Sequence, residues 1–156
     1  MNTETALLFD NCSNDPTFED TKANYLVQSY VSAIAEGLRA NLWYSVHGWR
    51  TSGLVNPDLS PRQAYLAFQF AQSELHDVTY TSMLNSSDIG GTFRLNGYKF
   101  LRDDRRIWVL WSLDGTIHSI DFRNAPLPAW DALGASITTT NLLEISLETI
   151  YLNGVH

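Results

Sequence analysis

"RANLWYSVHGWRTSGLVNPDLSPRQAY", residues 39–65, is the stretch whose reading decides the fold. Ala40 to Val46 is an apolar and aromatic run that reads as a strand. It stops at His47-Gly48-Trp49-Arg50, crosses a loop with glycine and proline, and restarts as a helix. Ser60-Pro61 predicts an N-cap followed by proline at the first helical position. Ala64, Ala67, Phe68, Ala71 and Leu75 then continue as one apolar stripe. Strand, loop and helix in that order make a β/α unit.

The same order is found upstream. Thr5 to Phe9 is a short continuous apolar run, as expected of a buried parallel strand. Pro16, Glu19 and Asp20 suit a first helical turn, where acidic groups meet the positive end of the helix dipole. Lys22 to Leu38 carries Tyr25, Leu26, Tyr30, Val31, Ile34 and Leu38 at helical spacing, and Gly37 is the natural stop. Residues 1–77 are thus predicted as two consecutive β/α units with parallel strands.

Residues 78–156 change period. Val78–Leu84, Thr92–Leu101, Ile107–Leu113, Thr116–Phe122, Leu127–Leu133 and Leu142–Leu152 are β-prone runs. Gly90-Gly91, Asn96-Gly97, Asp103-Asp104, Asp114-Gly115, Asn124 to Pro128 and Gly134 separate them. Asp114-Gly115 reads as a hairpin turn between its neighbours. Such spacing predicts an antiparallel sandwich or small barrel. Within it, Trp108 and Trp111 are an odd number of residues apart, so they face opposite sides; one is expected in the core and the other nearer a surface or helical layer. The expected fold class is α/β followed by all-β, with the boundary after Asp77.

Composition removes several functions. The 156 residues carry 10 Lys and Arg against 17 Asp and Glu, a net charge of −7, which argues against a phosphate-binding surface for nucleic acid. The basic cluster Arg102 to Arg106 is interrupted by Asp103 and Asp104 and suits a polar turn better. Cys12 is the only cysteine, so no intrachain disulfide or thiolate cage is available. His47, His76, His118 and His156 lack metal spacing with one another, and no glycine-rich phosphate loop is present; no metal and no cofactor are expected. No apolar run reaches the ~18–20 residues of a membrane span, and Ala6-Leu7-Leu8-Phe9 is too short for a secretion signal. The compartment stays open. Asn11-Cys12-Ser13 and Asn85-Ser86-Ser87 fit the glycosylation pattern but are too short to decide anything.

The segments "NTETALL" (2–8), "YLVQSYVSAIAEGLRANLWYSV" (25–46) and "GLVNPDLSPRQAYLAFQ" (53–69) resemble the last quarter of a clan A glycoside hydrolase barrel. There the seventh strand carries a catalytic Glu and the eighth is rich in Trp and Tyr. "RRIWVLWSLDG" (105–115), "PAWDALGASI" (128–137) and "LEISLETIYL" (143–152) are similar to the small β-sandwich that follows the barrel in family-39-like enzymes. The resemblance implies the last two β/α units of a (β/α)8 barrel over residues 1–77 and an antiparallel β-sandwich over 78–156. It implies carbohydrate as the partner. Glu4 matches the catalytic nucleophile; the plainer alternative is an exposed acid near a chain end. Trp43 matches the ring that floors the sugar site, against an ordinary core ring, and Tyr44 should then face the helices. His47, Trp49 and Arg50 either rim that pocket or anchor their loop.

The chemistry expected of such enzymes needs a second carboxyl group roughly 5–5.5 Å from the first. In the clan that proton donor sits on the fourth strand, and the resemblance here starts at the seventh. Asp10 and Asp15 are the local substitutes, and neither carries a matching motif. Two strands do not close a barrel. The expectation is therefore either part of a carbohydrate-active hydrolase, inactive by itself and missing an N-terminal barrel portion, or a non-catalytic binding or assembly module that forms a homo-oligomer through open strand edges.

Overall fold

The computed structural model describes residues 2–9, 15–91, 94–122, 128–140 and 142–154. Asp10, Cys12, the Asn11-Cys12-Ser13 motif, most of the Asn124 to Pro128 turn and His156 lie outside the described residues. The chain divides into two compact units, Met1–Glu74 and Leu75–His156.

In the first unit, strand β1 (Asn2–Thr5) leads to helix α1 (Pro16–Ala35) and on to strand β2 (Asn41–Trp43), which pairs with β1 in parallel. Asp15 caps α1, accepting from the amides of Thr17 and Phe18, and Pro16 occupies the first turn as expected. The helix buries Ala23, Leu26, Val27, Val31 and Ala33. It ends at Gly37, whose φ of 68° lets the amides of Gly37 and Leu38 return to the Ile34 and Ala33 carbonyls.

Three boundaries differ from expectation, the second strand being Asn41–Trp43 and not residues 40–46. The first strand is residues 2–5, not 5–9. It is fixed by pairing: the Thr5 hydroxyl donates to Asn41 Oδ1 at 2.7 Å, and the Tyr44 amide to the Thr5 carbonyl at 2.8 Å. The apolar residues that follow serve packing instead, with Phe9 stacked on Phe18 at 4.9 Å. Helix α2 spans Gln63–Leu75 and starts later than Ser60-Pro61 predicts. Ser60 is held back in a turn by Asp58, through both its amide and its hydroxyl, and Pro61 bridges to Val55. The α2 stripe of Ala64, Ala67, Ala71 and Leu75 is buried as expected. Tyr30 meets Phe68 edge-on at 5.6 Å, joining α1 to α2.

The second unit contains β3 (Thr79–Met83), the single-turn helix α3 (Ser86–Ile89), β4 (Leu95–Arg102), β5 (Arg105–Ser112), β6 (His118–Asp121), β7 (Ala129–Trp130), β8 (Ser136–Ile137), β9 (Leu142–Ile145) and β10 (Ile150–Asn153). Six strands form one sheet in the order β3-β4-β5-β10-β7-β8, and β6 pairs with β9 in another. Every pairing in this unit is antiparallel. Trp108, Leu110, Ile150 and Leu152 from the larger sheet share one buried cluster with Ile120, Leu143 and Ile145 from the smaller.

Three turn signals act differently from their reading. Asp114-Gly115 does turn the chain, but β5 and β6 join different sheets, so no hairpin forms there. The true two-residue hairpin is Asp103-Asp104, with Arg102 facing Arg105. Asn96-Gly97 lies inside β4; a Cβ on Gly97 would meet the Leu84 and Leu110 Cβ atoms at 3.0 and 3.1 Å, so the glycine serves packing. Gly90-Gly91 closes α3, with Gly90 left-handed at φ 70°. The run Leu142–Leu152 is two strands. It breaks at Ser146, whose carbonyl accepts the Ser112 amide. Finally, Trp108 and Trp111 face opposite sides, yet both are buried.

Candidate functional site

The carboxyl ends of parallel strands lie on one side, and loops leaving that side are free to carry chemistry. Glu4 is the penultimate residue of β1 and is exposed. Its neighbour Thr5 is buried and tied to Asn41, and Asn41 Nδ2 donates to Ser29 of α1 at 2.8 Å. Alternation along the strands therefore places Thr5, Asn41 and Trp43 on the helix side and Glu4, Leu42 and Tyr44 on the other.

Trp43 follows this rule. Its ring meets Tyr25 of α1 edge-on at 6.3 Å, and its indole N–H donates to the Ser52 carbonyl at 2.8 Å. Tyr44, expected toward the helices, is 49% exposed on the face it shares with Glu4. Leu42 and Val46 are exposed as well, at 51% and 62%. The facing of the two rings is thus the reverse of the expected one, because the Thr5–Asn41–Ser29 hydrogen bonds fix which side of the strand pair meets α1.

The loop after β2 is built tightly. The amides of Leu54 and Val55 both donate to the Val46 carbonyl, which folds residues 47–55 back on themselves. At the pinch, Gly48 and Gly53 touch backbone to backbone: a Cβ on Gly48 would sit 2.5 Å from the Gly53 nitrogen. Trp49–Thr51 is a tight turn kinked at Arg50, and both Arg50 (φ 48°) and Thr51 (φ 57°) are left-handed. Such residues cost roughly 1–2 kcal/mol each and persist only where surroundings hold them. The Phe9 amide donates to the Arg50 carbonyl at 3.2 Å, tying the loop to the segment after β1. His47 and Arg50 are exposed. The Trp49 side chain lies outside what the structure describes.

What holds the loop is a residue the sequence reading passed over. Lys22 of α1 is fully buried, and its amine donates to Glu19 Oε1 at 2.7 Å, the Thr51 carbonyl at 2.8 Å and the Gly53 carbonyl at 3.0 Å. Arg62 Nη1 reaches the same Glu19 oxygen at 3.0 Å. Burial holds the Lys22 amine below the usual lysine range, and the bond to Glu19 opposes that shift. The available signal was a lysine within the buried stripe of a helix, four residues before Leu26.

Four other acids of this unit have structural places. Asp15 caps α1, Glu36 ends it, Glu19 is held by Lys22 and Arg62, and Asp58 holds Ser60. Among the described residues, no group of three or more His, Cys, Asp or Glu could hold a metal ion, and no helix is long and apolar enough to cross a membrane.

No family model matches the chain, and no curated protein matches it. Solved structures do. A family 39 glycoside hydrolase from the gut symbiont Bacteroides cellulosilyticus WH2 is similar with a TM-score of 0.62 and 22% identity, over 83% of this chain and 29% of that one. A family 30 endoxylanase from Clostridium papyrosolvens C71 is similar with a TM-score of 0.62 and 14% identity, over 100% and 41%. A family 30 subfamily 8 xylanase from Clostridium acetobutylicum is similar at 0.62 and 11%, over 98% and 41%. The chain thus spans between 29% and 41% of the length of these enzymes. At such identities the likeness is one of fold, and it is the likeness to glycoside hydrolase structures that the sequence motifs imply.

Proposed function

We propose that the chain is the C-terminal part of a carbohydrate-active glycoside hydrolase. In this reading the first unit supplies the last two β/α units of a (β/α)8 barrel, and the second is a β-sandwich. Glu4 is the nucleophile position. His47, Trp49 and Arg50 rim the sugar site, Tyr44 presents a ring on the Glu4 face, and Trp43 supports the site from behind by bracing its loop. The observation that carries the proposal is the β1–α1–β2 unit, with Glu4 one residue before the end of its strand and loop 47–55 tied to the segment that follows. The similar structures include two xylanases, which makes xylan the first polysaccharide to test.

By itself the chain is expected to bind but not to cleave. Glycoside hydrolysis needs a proton donor opposite the nucleophile, and no acid of the first unit has a motif that matches one. Aryl xylosides and xylan incubated with the chain should show no turnover above buffer. Turnover abolished by Glu4→Gln would sink this expectation. Titration with xylo-oligosaccharides at millimolar concentration should shift the backbone signals of Tyr44, His47 and Arg50; unmoved signals would reject the carbohydrate reading.

A second reading is a non-catalytic assembly module. The observation favouring it is the open apolar face of Leu42, Tyr44 and Val46. Self-association through that face and absence of carbohydrate binding would select it.

A further inference from the structure

The carbonyls of Thr51, Ser52 and Gly53 are consecutive, and each accepts from a side chain: Lys22, Trp43 and Lys22 again. The two donors come from different elements, α1 and β2. Ordinary loops leave their carbonyls to water; here three in a row are held from the protein side. The stretch Ser52 to Val55 is buried, while Arg50 just before it is exposed. Arg50 and Thr51 are left-handed where the held segment begins, and the Gly48–Gly53 contact closes the loop on itself.

We propose that Lys22 is a positioning residue, which fixes loop 47–55 in one strained conformation so that His47 and Arg50 stand at the strand ends already ordered. The argument is one of donor geometry. An ammonium has three N–H groups, and all three are engaged: one by Glu19 Oε1, two by loop carbonyls. Glu19 supplies the counter-charge, and Arg62 secures Glu19 from the start of α2. A neutral side chain of similar length would fill the space but leave two buried carbonyls without donors, and the left-handed residues would then relax. As a device of a sugar site, this inference rests on the carbohydrate reading above. As a statement about loop order it does not, so the two fail separately.

The test is amide and indole hydrogen exchange on the full chain, read by NMR. The reporters are the Leu54 and Val55 amides, which donate to Val46, and the Trp43 indole, which donates to Ser52. In Lys22→Met these three should exchange about tenfold faster or more, while the amides of α2 and β5 keep their wild-type protection. Arg62→Met, which leaves both Lys22–carbonyl bonds in place, should keep the three reporters protected. Should Lys22→Met fail to fold, Lys22→Leu, which likewise carries no donor, serves in its place with the same outcomes. Unchanged reporters in the Lys22 variant would overturn the proposal. So would parallel loosening of α1 and α2 with the loop, since Lys22 would then be a general stabiliser. Faster loop exchange in a chain that binds no xylo-oligosaccharide leaves Lys22 as the loop's positioning residue and removes only the carbohydrate reading.

Discussion

Two ionisable residues of this chain show how differently a hydrogen-bonded charge and a buried one behave. Asp114 sits in the turn after β5, where its Oδ1 accepts from the Thr116 hydroxyl and amide, the Ser112 hydroxyl and His118 Nε2. Those donors, Thr116 first, hold its carboxyl below the usual range. A depressed folded value means the unfolded chain takes up the proton first. The stabilisation is therefore complete above the ordinary carboxylate value near ~3.9 and is lost as pH falls through the lower, folded value. Asp114→Asn should lower the melting temperature most at pH 5 to 7, and the gap to wild type should narrow steadily below about pH 4. Thermal scans at three pH values measure it. A gap that stays constant down to pH 2.5 would mean the charge is not what the turn uses. For Lys22 the sign differs: burial disfavours the charged amine, and the hydrogen bond and opposite charge of Glu19 work against that shift.

The elements show why some of the fold was legible and some was not. Helix α1 was, because its signals are local: Pro16, the acids after it, and Gly37 each act within one turn of their own position. Strand limits were not, because pairing is decided by distant partners. Thr5 belongs to β1 through Asn41, thirty-six residues away, and Leu142–Leu152 splits because its halves find β6 and β5 separately. Gly97 looked like a turn for the same reason: nothing local reveals that Leu84 and Leu110 will close on it. For the proposed site, motifs single out Glu4 and the loop, whereas they do not reach Lys22, since its loop partners are backbone carbonyls that any sequence would supply. Strand β5 carries the sharpest prediction at this scale. Trp108 lies in the cluster between the two sheets and meets Phe122 edge-on at 6.1 Å, while Trp111 packs on Tyr98 at 5.8 Å from the other face. Because both rings are buried, Trp108→Ala and Trp111→Ala should each cost about 3–5 kcal/mol of stability in denaturant titrations. A near-neutral result for either would show that its face of the sheet is solvated.

For the whole molecule, the question is what covers the face that bears Glu4. Leu42, Tyr44 and Val46 stand exposed along β2 and its exit, and Leu8 is 43% exposed after β1. Parallel strands are rarely left open to water, because their faces are apolar and their edges offer unpaired amides and carbonyls. In a closed barrel neighbouring strands would cover both; the chain spans between 29% and 41% of the enzymes it resembles in fold. Alone in solution, a second copy can supply that cover, and a two-fold pairing of this face would bury the same residues on both partners. On the assembly reading, the chain by itself is expected to form a dimer or larger homo-oligomer at micromolar concentration, with Leu42 and Tyr44 in the interface. Light scattering coupled to size exclusion gives the mass directly. Leu42→Lys should return the chain to a monomer without lowering its melting temperature below that of a monomeric reference, since the Leu42 side chain is 51% exposed in the single chain. A strictly monomeric mass for the wild-type chain, with the amides of both strands protected from exchange, would show that this face is stable as it stands. The assembly reading would then lose its support, while the carbohydrate reading would keep the open surface a sugar needs.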